Sequence, residues 1–340
     1  MLKVQFCSVI AGVVAVSLSA GTVFAQSKDF FQGKKVTVIV SAGAGGGYGL
    51  YGQLFAKNFA RHIPGKPKVT LQYMGESGGM KASNYLYNVA PRDGTYLGTL
   101  RTTAMVAQVL RPSGVKYDTA KFNWIGSMAP MINTIGVWHT AKGKSIATLK
   151  KHQVLVGAGG KASELYIQPM ILNKLVGTKF KIITGYRGTN DVRQAIERGE
   201  VQGTAMAWLI WKAKTPHWLR DNKIAHVVQT GIERLPDLPN VPTMIELAQN
   251  EPDRQIMRFL STPAALGRSV TAPPGVPAKT VAILRRAFMA TMKDPIMIAD
   301  ATKRNVIIEP TSGEDIDKLV QKAMNTPKAL LERTKSLLEY

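Results

Sequence analysis

The sequence contains a single cysteine, Cys7, among 340 residues. Because Cys7 lies within the first segment of the chain, no disulfide framework is predicted for the rest. The five histidines are scattered, and no H-E-x-x-H, C-x-x-C or EF-hand pattern occurs. We therefore predict no metal site and no cofactor.

Acidic residues are also scarce. The chain has 22 Asp and Glu against 44 Lys and Arg, which gives a formal net charge of +22. An excess of this size favours anionic partners. The basic residues are scattered, in pairs such as Lys34-Lys35 and Arg285-Arg286, and no aromatic residues alternate with them as in a nucleic-acid platform. We predict a small anionic ligand and no nucleic-acid partner.

Long hydrophobic runs are missing after the N-terminus, so no membrane span is predicted there. Residues 1–25 differ from everything that follows: Lys3 precedes an apolar stretch at 9–16, and Ala25 ends a small-residue cleavage site. This pattern is typical of a secretory signal peptide cut after Ala25. Export without disulfides is typical of the bacterial periplasm, so we expect a soluble periplasmic protein.

One stretch organises the remaining sequence. Residues 36–40 are a β-branched run typical of a buried strand, and they lead into residues 43–49, where five of seven positions are glycine. Residues 50–56 are predicted to be helical. Loop amides without Cβ cover at a helix N-terminus favour a bound carboxylate or phosphate. The alternative is that the glycines only permit a tight connection.

The order of strand, loop and helix then repeats. A strand at 68–73 precedes a second glycine-rich loop at 75–79 and a helix from Met80 to Asn88, and a third strand at 96–100 ends at Arg101. Ligands bind at the carboxyl ends of strands in open parallel sheets. We therefore expect these loops to converge.

The second half of the chain copies this order. A strand at 153–156 precedes a third glycine-rich loop at 157–163, and further strands are predicted at 181–184, 201–207 and, in the tail, 305–309. The pattern predicts two α/β lobes that close around a cleft.

The predicted lobes share the chain unequally. The apolar passage at 122–138 is the first candidate crossing between them. We assign residues 26–128 and 256–340 to lobe 1, which includes a C-terminal return, and residues 129–255 to lobe 2.

Six short motifs, in their order and spacing, resemble the periplasmic receptors of tripartite tricarboxylate transporters, also called Bug proteins, over essentially the whole chain after residue 25. They are Gly45-Gly46-Gly47 after the strand at 36–40, Ser77-Gly78-Gly79, residues 91–96, Tyr186-Arg187-Gly188, residues 238–246 and residues 272–277. The resemblance implies a type II periplasmic-binding-protein fold, in which two α/β lobes surround a hinged ligand cleft. It also implies a receptor without enzymatic activity that captures a small organic carboxylate and delivers it to the membrane components of such a transporter. We expect a monomer.

Carried over by position, the resemblance predicts a site made by both lobes. The first lobe contributes Ala44, Gly45, Gly46, Gly47, Ser77, Gly78 and Gly79, and the second contributes Ala158, Gly159, Ser163, Gly188, Thr189 and the strand end at Ala207. Amides of the first set would grip one carboxylate.

Side chains near these loops are further candidates. Tyr48, Tyr186, Trp208 and Trp211 would line the cleft, with ordinary core packing as the alternative. Arg101 is placed to pair with a second ligand carboxylate, and Arg187 similarly, although Arg also commonly lies in solvated surface or packs along an aromatic ring.

Two positions depart from the family pattern. Gly49 stands where an Asp is common, which removes a partner for amino-bearing ligands, and Glu76 replaces a usual glycine. We therefore expect a purely anionic ligand, either a di- or tricarboxylate or an aromatic acid.

Two other functions fit some of these residues. Ser77 within residues 75–79 matches the G-x-S-x-G nucleophile elbow, so an α/β-hydrolase-like esterase using Asp191 with His217 or His226 is the enzyme alternative. That elbow would follow the second strand, which is too early for the hydrolase order. A sensory carboxylate-binding protein that serves a signalling partner shares every feature named above.

Overall fold

The computed structural model describes residues 30–44, 47–110, 113–159, 161, 163–186 and 189–339. Two mixed β-sheets with helices packed around them make up these ranges, which confirms the predicted two-lobe α/β fold. Outside the described residues lie the predicted signal peptide (residues 1–25) and, from the predicted site, Gly45, Gly46, Arg187 and Gly188.

The first sheet has six strands. They are β1 (Lys35–Val40), β2 (Lys68–Tyr73), β3 (Tyr96–Thr99), β4 (Asn123–Ser127), β10 (Ser269–Ala272) and β11 (Thr311–Ser312). Their order is β11-β4-β10-β3-β1-β2. β1 pairs in parallel with β2 and β3, whereas β10 is antiparallel to β3 and β4. The carboxyl ends of β1, β2 and β3 therefore share one edge of the sheet.

The second sheet has five strands. They are β5 (Asn133–Trp138), β6 (Val154–Gly157), β7 (Phe180–Ile183), β8 (Gly203–Ala207) and β9 (Ile224–Gln229). Their order is β7-β6-β8-β5-β9. β6 is parallel to β7 and β8, and β5 is antiparallel to β8 and β9.

Helices connect and cover the strands. The α-helices are α1 (Gly47–Phe59), α2 (Met80–Asn88), α3 (Thr103–Leu110), α4 (Ile146–Leu149), α5 (Glu164–Val176), α6 (Thr189–Glu197), α7 (Trp208–Lys214), α8 (Pro216–Arg220), α9 (Glu251–Leu266), α10 (Ala278–Lys293), α11 (Pro295–Lys303), α12 (Gly313–Met324) and α13 (Lys328–Leu338). Short 3-10 helices lie at Ala60–His62, Glu76–Gly79, Thr119–Lys121 and Ile245–Leu247. Across the described residues, none of the helices has the length and apolar character needed to cross a membrane.

From Val36 to Val40, strand β1 is buried on both faces, which explains why this stretch is apolar except for Thr37. Val36 and Val38 belong to a core cluster that contains Phe55 of α1 and Phe288 of α10, whose ring centroids are 5.9 Å apart. Ile39 is out of phase with these two valines and packs in a different cluster. The strand is therefore fixed in the sheet, and the loop after it begins from a rigid base.

The chain passes between the two sheets twice. It leaves the first sheet after β4 and enters the second at β5, and it returns to β10 through the long helix α9. The lobe boundaries at 128/129 and 255/256 stay a prediction.

One predicted strand is wrong. Residues 305–309 are not a strand; Asn305 has a φ of 52° after α11, and Glu309 N donates to the carbonyl oxygen of Met128, the residue after β4, at 2.9 Å. The left-handed turn at Asn305 breaks the extended conformation that the apolar residues suggest. The strand in this part of the tail is the shorter β11.

Candidate ligand-binding cleft

The first glycine-rich loop folds back on the start of α1. A Cβ added at Gly49 would lie 2.2 Å from the carbonyl oxygen of Ala44, so no side chain fits at this position. The absence of an acid at Gly49 is thus explained by close packing of the loop backbone. Ser41 anchors the other end of the loop, because its N–H and its Oγ both donate to Thr99 O, at 3.1 and 2.7 Å.

The second glycine-rich loop packs directly against the first. It forms the 3-10 turn Glu76–Gly79, in which Ser77 and Gly79 have φ of 51° and 90°. A Cβ at Gly79 would lie 2.9 Å from the carbonyl oxygen of Ser41 and 3.1 Å from Cδ of Arg101. The two loops and the end of β3 therefore converge, as the parallel strand order predicts.

Arg101 and Tyr48 fix the third connection in this group. Arg101 Nε donates to Ser41 O at 3.1 Å, and the hydroxyl of Tyr48 accepts a hydrogen bond from the backbone N–H of Thr102 at 2.9 Å. These bonds hold the start of α3 against the first loop. One end of the Arg101 guanidinium is thereby positioned, and the side chain lines the cleft described below.

A second arginine, Arg268, lies behind Tyr48. Its Cζ is 4.1 Å from the centroid of the Tyr48 ring and 5.3 Å from that of Tyr51. Only 9% of the residue is exposed, and its Nε and Nη1 have no hydrogen-bond partner. A Cβ at Gly47 would lie 2.8 Å from Nη2. A buried positive charge therefore lies directly beneath the first glycine-rich loop, where it favours an anion.

The second lobe brings an acid to the same cleft. Glu164, the first residue of α5, accepts hydrogen bonds from Asn133 Nδ2 at 2.9 Å and from Thr102 Oγ1 at 3.2 Å. Burial raises the pKa of Glu164, while the two hydrogen bonds and the charge of Arg268 act in the opposite direction. Glu164 is half-buried, and it lines the cavity described below.

These groups surround a cavity of ≈ 800 Å³ between the lobes. The first lobe lines it with Tyr48, Ser77, Met80, Arg101, Thr102, Thr103, Val106, Ala107, Leu110 and Ser113. The remaining lining residues are Met131, Ser163, Glu164, Leu165, Ile167, Gln168, Leu260 and Pro263. The cavity has the size of small-molecule sites, with apolar walls and a few convergent polar groups.

The predicted site residues divide into two groups. Tyr48, Ser77, Arg101 and Ser163 line the cavity. The described residues Ala44, Gly47, Gly79, Ala158, Gly159, Tyr186, Thr189 and Ala207 are not among its lining residues. Ala44 and Gly47 nevertheless belong to the first glycine-rich loop, and Gly79 to the second, and these two packed loops position the lining side chains. For Gly78, the structure describes only its place in the 3-10 turn.

The three aromatic site candidates of lobe 2 pack in one cluster instead of lining the cavity. They are Tyr186, Trp208 and Trp211. Trp208 and Trp211 lie in a cluster with Tyr186 packed against it, and the Trp208 indole donates to Asp237 Oδ2 at 2.7 Å. His226 contacts both tryptophan rings, and burial lowers its pKa to about 4. In this structure these three rings pack in the core of lobe 2.

The esterase alternative depends on which side chains lie near Ser77. A Ser77 nucleophile needs a histidine base beside it, and the described residues that line the cavity include no histidine. His226 lies in the tryptophan cluster, with its Nδ1 3.0 Å from Thr134 Oγ1. Among the residues that the structure describes, no group of three or more His, Cys, Asp or Glu could hold a metal ion.

Sequence reasoning missed Glu164, Arg268 and Thr102. Glu164 directly follows the third glycine-rich loop, at the N-terminus of a predicted helix, and that position was a usable signal. Arg268 lies between α9 and β10, far from Tyr48 in sequence, and no local pattern marks it.

Two α/β lobes with a cavity between them are the architecture that the sequence predicts. No family model matches the sequence, and no curated protein does. Solved structures do match: a TctC solute-binding protein from Polaromonas has a TM-score of 0.69 and 18% identity, covering 90% of this chain and 98% of its own.

Two further solved structures cover the chain to a similar extent. The periplasmic binding protein BugD has a TM-score of 0.58 and 18% identity, over 89% of this chain and 97% of its own. MatC from Rhodopseudomonas palustris, solved with bound malate, has a TM-score of 0.59 and 20% identity, over 90% of this chain and 99% of its own. The resemblance to tripartite tricarboxylate receptors is confirmed for the fold.

Proposed function

We propose that this protein is a periplasmic solute-binding receptor that captures a small organic carboxylate between its lobes. The observation that carries the proposal is the convergence of the loop that carries Ser77 with Arg101, both of which line the cavity, with buried Arg268 behind Tyr48. A guanidinium and a hydroxyl at the mouths of parallel strands are the groups that bind a carboxylate. The malate bound to MatC supports the same ligand class.

Closure of the two lobes is the second part of the proposal. Thr102 of the first lobe already donates to Glu164 of the second at 3.2 Å, so the lobes have a polar contact across the cleft. A ligand that bridges both walls would stabilise the closed form. We propose that a monomer delivers the ligand in this form to the membrane components of a tripartite tricarboxylate-type transporter.

Calorimetry on the protein purified from the periplasm tests ligand capture. Mono-, di- and tricarboxylates and aromatic acids are titrated at constant ionic strength, and at least one should bind with roughly micromolar affinity. Arg101→Gln should weaken that binding about tenfold or more, since a hydrogen bond to a charged group contributes about 1.5–3 kcal/mol. The matched control is Arg92→Gln, an exposed arginine that does not line the cavity.

Failure of every acid to bind would contradict the receptor proposal. The esterase alternative has its own assay: hydrolysis of an activated ester that disappears in Ser77→Ala would favour an enzyme. N-terminal sequencing of the periplasmic protein should start at Gln26 if the signal peptide is cut after Ala25. Copurification with transporter membrane proteins, rather than with a signalling partner, would separate transport from sensing.

A further inference from the structure

A second cavity, of ≈ 580 Å³, borders helix α9 on a different face from the ligand cleft. Leu260 and Pro263 of this helix line the cleft. The residues of α9 that line the second cavity recur at the three- and four-residue spacing of one helix face, and they are Glu251, Gln255, Arg258, Phe259 and Thr262. The two cavities share none of their described lining residues, so α9 separates them.

The other walls of the second cavity come from parts of the chain that belong to different sheets. Helix α12 packs against β4 of the first sheet, whereas Ile232 follows β9 of the second. Besides Ile232, these walls consist of Leu319, Lys322, Ala323, Asn325, Thr326 and Pro327. The volume lies within the range of small-molecule sites. An occupant would contact α9, α12 and the segment after β9 at once.

Two cations in the described walls are not neutralised. Among the residues that the structure describes, neither the guanidinium of Arg258 nor the ammonium of Lys322 makes an ion pair or a hydrogen bond, and Arg258 is half-buried. The acid of these walls, Glu251, already pairs with Arg254 at 3.0 Å. The second cavity therefore has an excess of positive charge, which favours an anion.

The rest of the second cavity favours an apolar group. Phe259 is buried, and Ile232 and Leu319 are half-buried beside it in the same core cluster. An alkyl or aromatic body would bury apolar surface against these side chains. A small ion such as acetate or phosphate could neutralise the cations but would leave this surface uncovered. The lining residues thus fit a molecule that has both a charge and an apolar body.

We propose that the second cavity binds a small amphipathic anion. Arg258 and Lys322 bind its carboxylate or phosphate group, and Phe259, Leu319 and Ile232 pack against its alkyl or aromatic body. This site is separate from the cleft, and the proposal does not rest on the receptor function proposed above.

Calorimetry on the Arg101→Gln protein tests this site, because that substitution weakens binding in the cleft and leaves the second cavity unchanged. Octanoate and hexyl phosphate are the probes, and their comparison distinguishes a carboxylate from a phosphate site. Octanamide lacks the charge, and acetate lacks the apolar body. At least one probe should bind about tenfold or more tightly than both of these compounds.

Arg258→Gln and Lys322→Gln assign the binding to the second cavity. Each variant removes one of the two cations, so each should weaken probe binding about tenfold. Lys318→Gln is the matched control, because Lys318 lies one turn earlier on α12, pairs with Asp315 at 3.2 Å and does not line the cavity. Circular dichroism establishes that the variants fold. Lys322 is exposed, so Lys322→Gln carries the test if Arg258→Gln does not fold.

Three results would overturn this inference and leave the receptor proposal intact. The first is that neither probe binds to the Arg101→Gln protein. The second is that octanamide binds as tightly as octanoate and hexyl phosphate. The third is that Arg258→Gln and Lys322→Gln bind the probes no more weakly than Lys318→Gln does.

Discussion

The guanidinium of Arg268 lies over the ring of Tyr48, with 4.1 Å between Cζ and the ring centroid. Tyr48 in turn accepts a hydrogen bond from Thr102 N, and Thr102 donates to Glu164. A buried cation on one lobe is thereby connected to a half-buried acid on the other through contacts that cross the cleft. Arg268 does not line the cavity, but its charge acts on Glu164, which does.

Gly49→Ala should disrupt the first glycine-rich loop. The new Cβ would lie 2.2 Å from Ala44 O and 2.6 Å from Ala44 C, and backbone atoms cannot rotate away. We expect a loss of about 1–3 kcal/mol in the free energy of unfolding, measured by urea titration, with weaker ligand binding. Gly43→Ala is the matched control, because a Cβ there meets nothing within 4 Å. Equal stability of the two variants would contradict this packing.

Ser77→Gly should change stability and affinity in opposite directions. Ser77 has a φ of 51°, which glycine adopts without steric cost, so the variant should be more stable by up to about 1 kcal/mol. Loss of a hydroxyl in the cavity should weaken ligand binding several-fold, by about 0.5–1.5 kcal/mol. Thermal melts and calorimetry give the two quantities. Unchanged affinity would show that the Ser77 hydroxyl makes no contact with the ligand.

The change in the free energy of unfolding caused by Arg268→Met should depend on whether Glu164 is present. Removing the cation takes away one of the three influences that lower the pKa of Glu164, which destabilises the charged carboxylate, and it also relieves the desolvation cost of the two Arg268 nitrogens that have no partner. In the Glu164→Gln background the same substitution should cost less, with a coupling of about 0.5–3 kcal/mol in a double-mutant cycle of urea titrations. Additive effects would mean that the two groups do not interact.

The stability difference between Glu164→Gln and the native protein should depend on pH. Because the pKa of Glu164 is raised in the folded state, its neutral form is the stabilising one. Its contribution is full below the usual pKa of 4.5 and declines as pH rises towards the folded value. At pH 7 the variant should be the more stable protein, by ~1.4 kcal/mol for each unit by which the pKa is raised. Melts at a series of pH values should converge below about pH 4. A constant difference would contradict the raised pKa.

Local sequence was sufficient for the glycine-rich loops and for most of the strands beside them. The run at 36–40 forms most of β1, and residues 80–88 form α2 as predicted, because β-branched runs and helical periodicity act over a few residues. The long helix α9 was missed, although Asn250 caps it through Asp253 N at 2.9 Å and Pro252 lies in its first turn.

By itself, the sequence determined the repeated order of strand, loop and helix and the excess of positive charge, since both follow from residue identity and short-range spacing. Tertiary structure alone decided the partners of those charges. Arg268 meets Tyr48, and Glu164 meets Asn133 and Thr102, only after the two sheets have formed and the lobes lie together. Burial then changes the free energy of each charge by an amount that depends on neighbours distant in the chain.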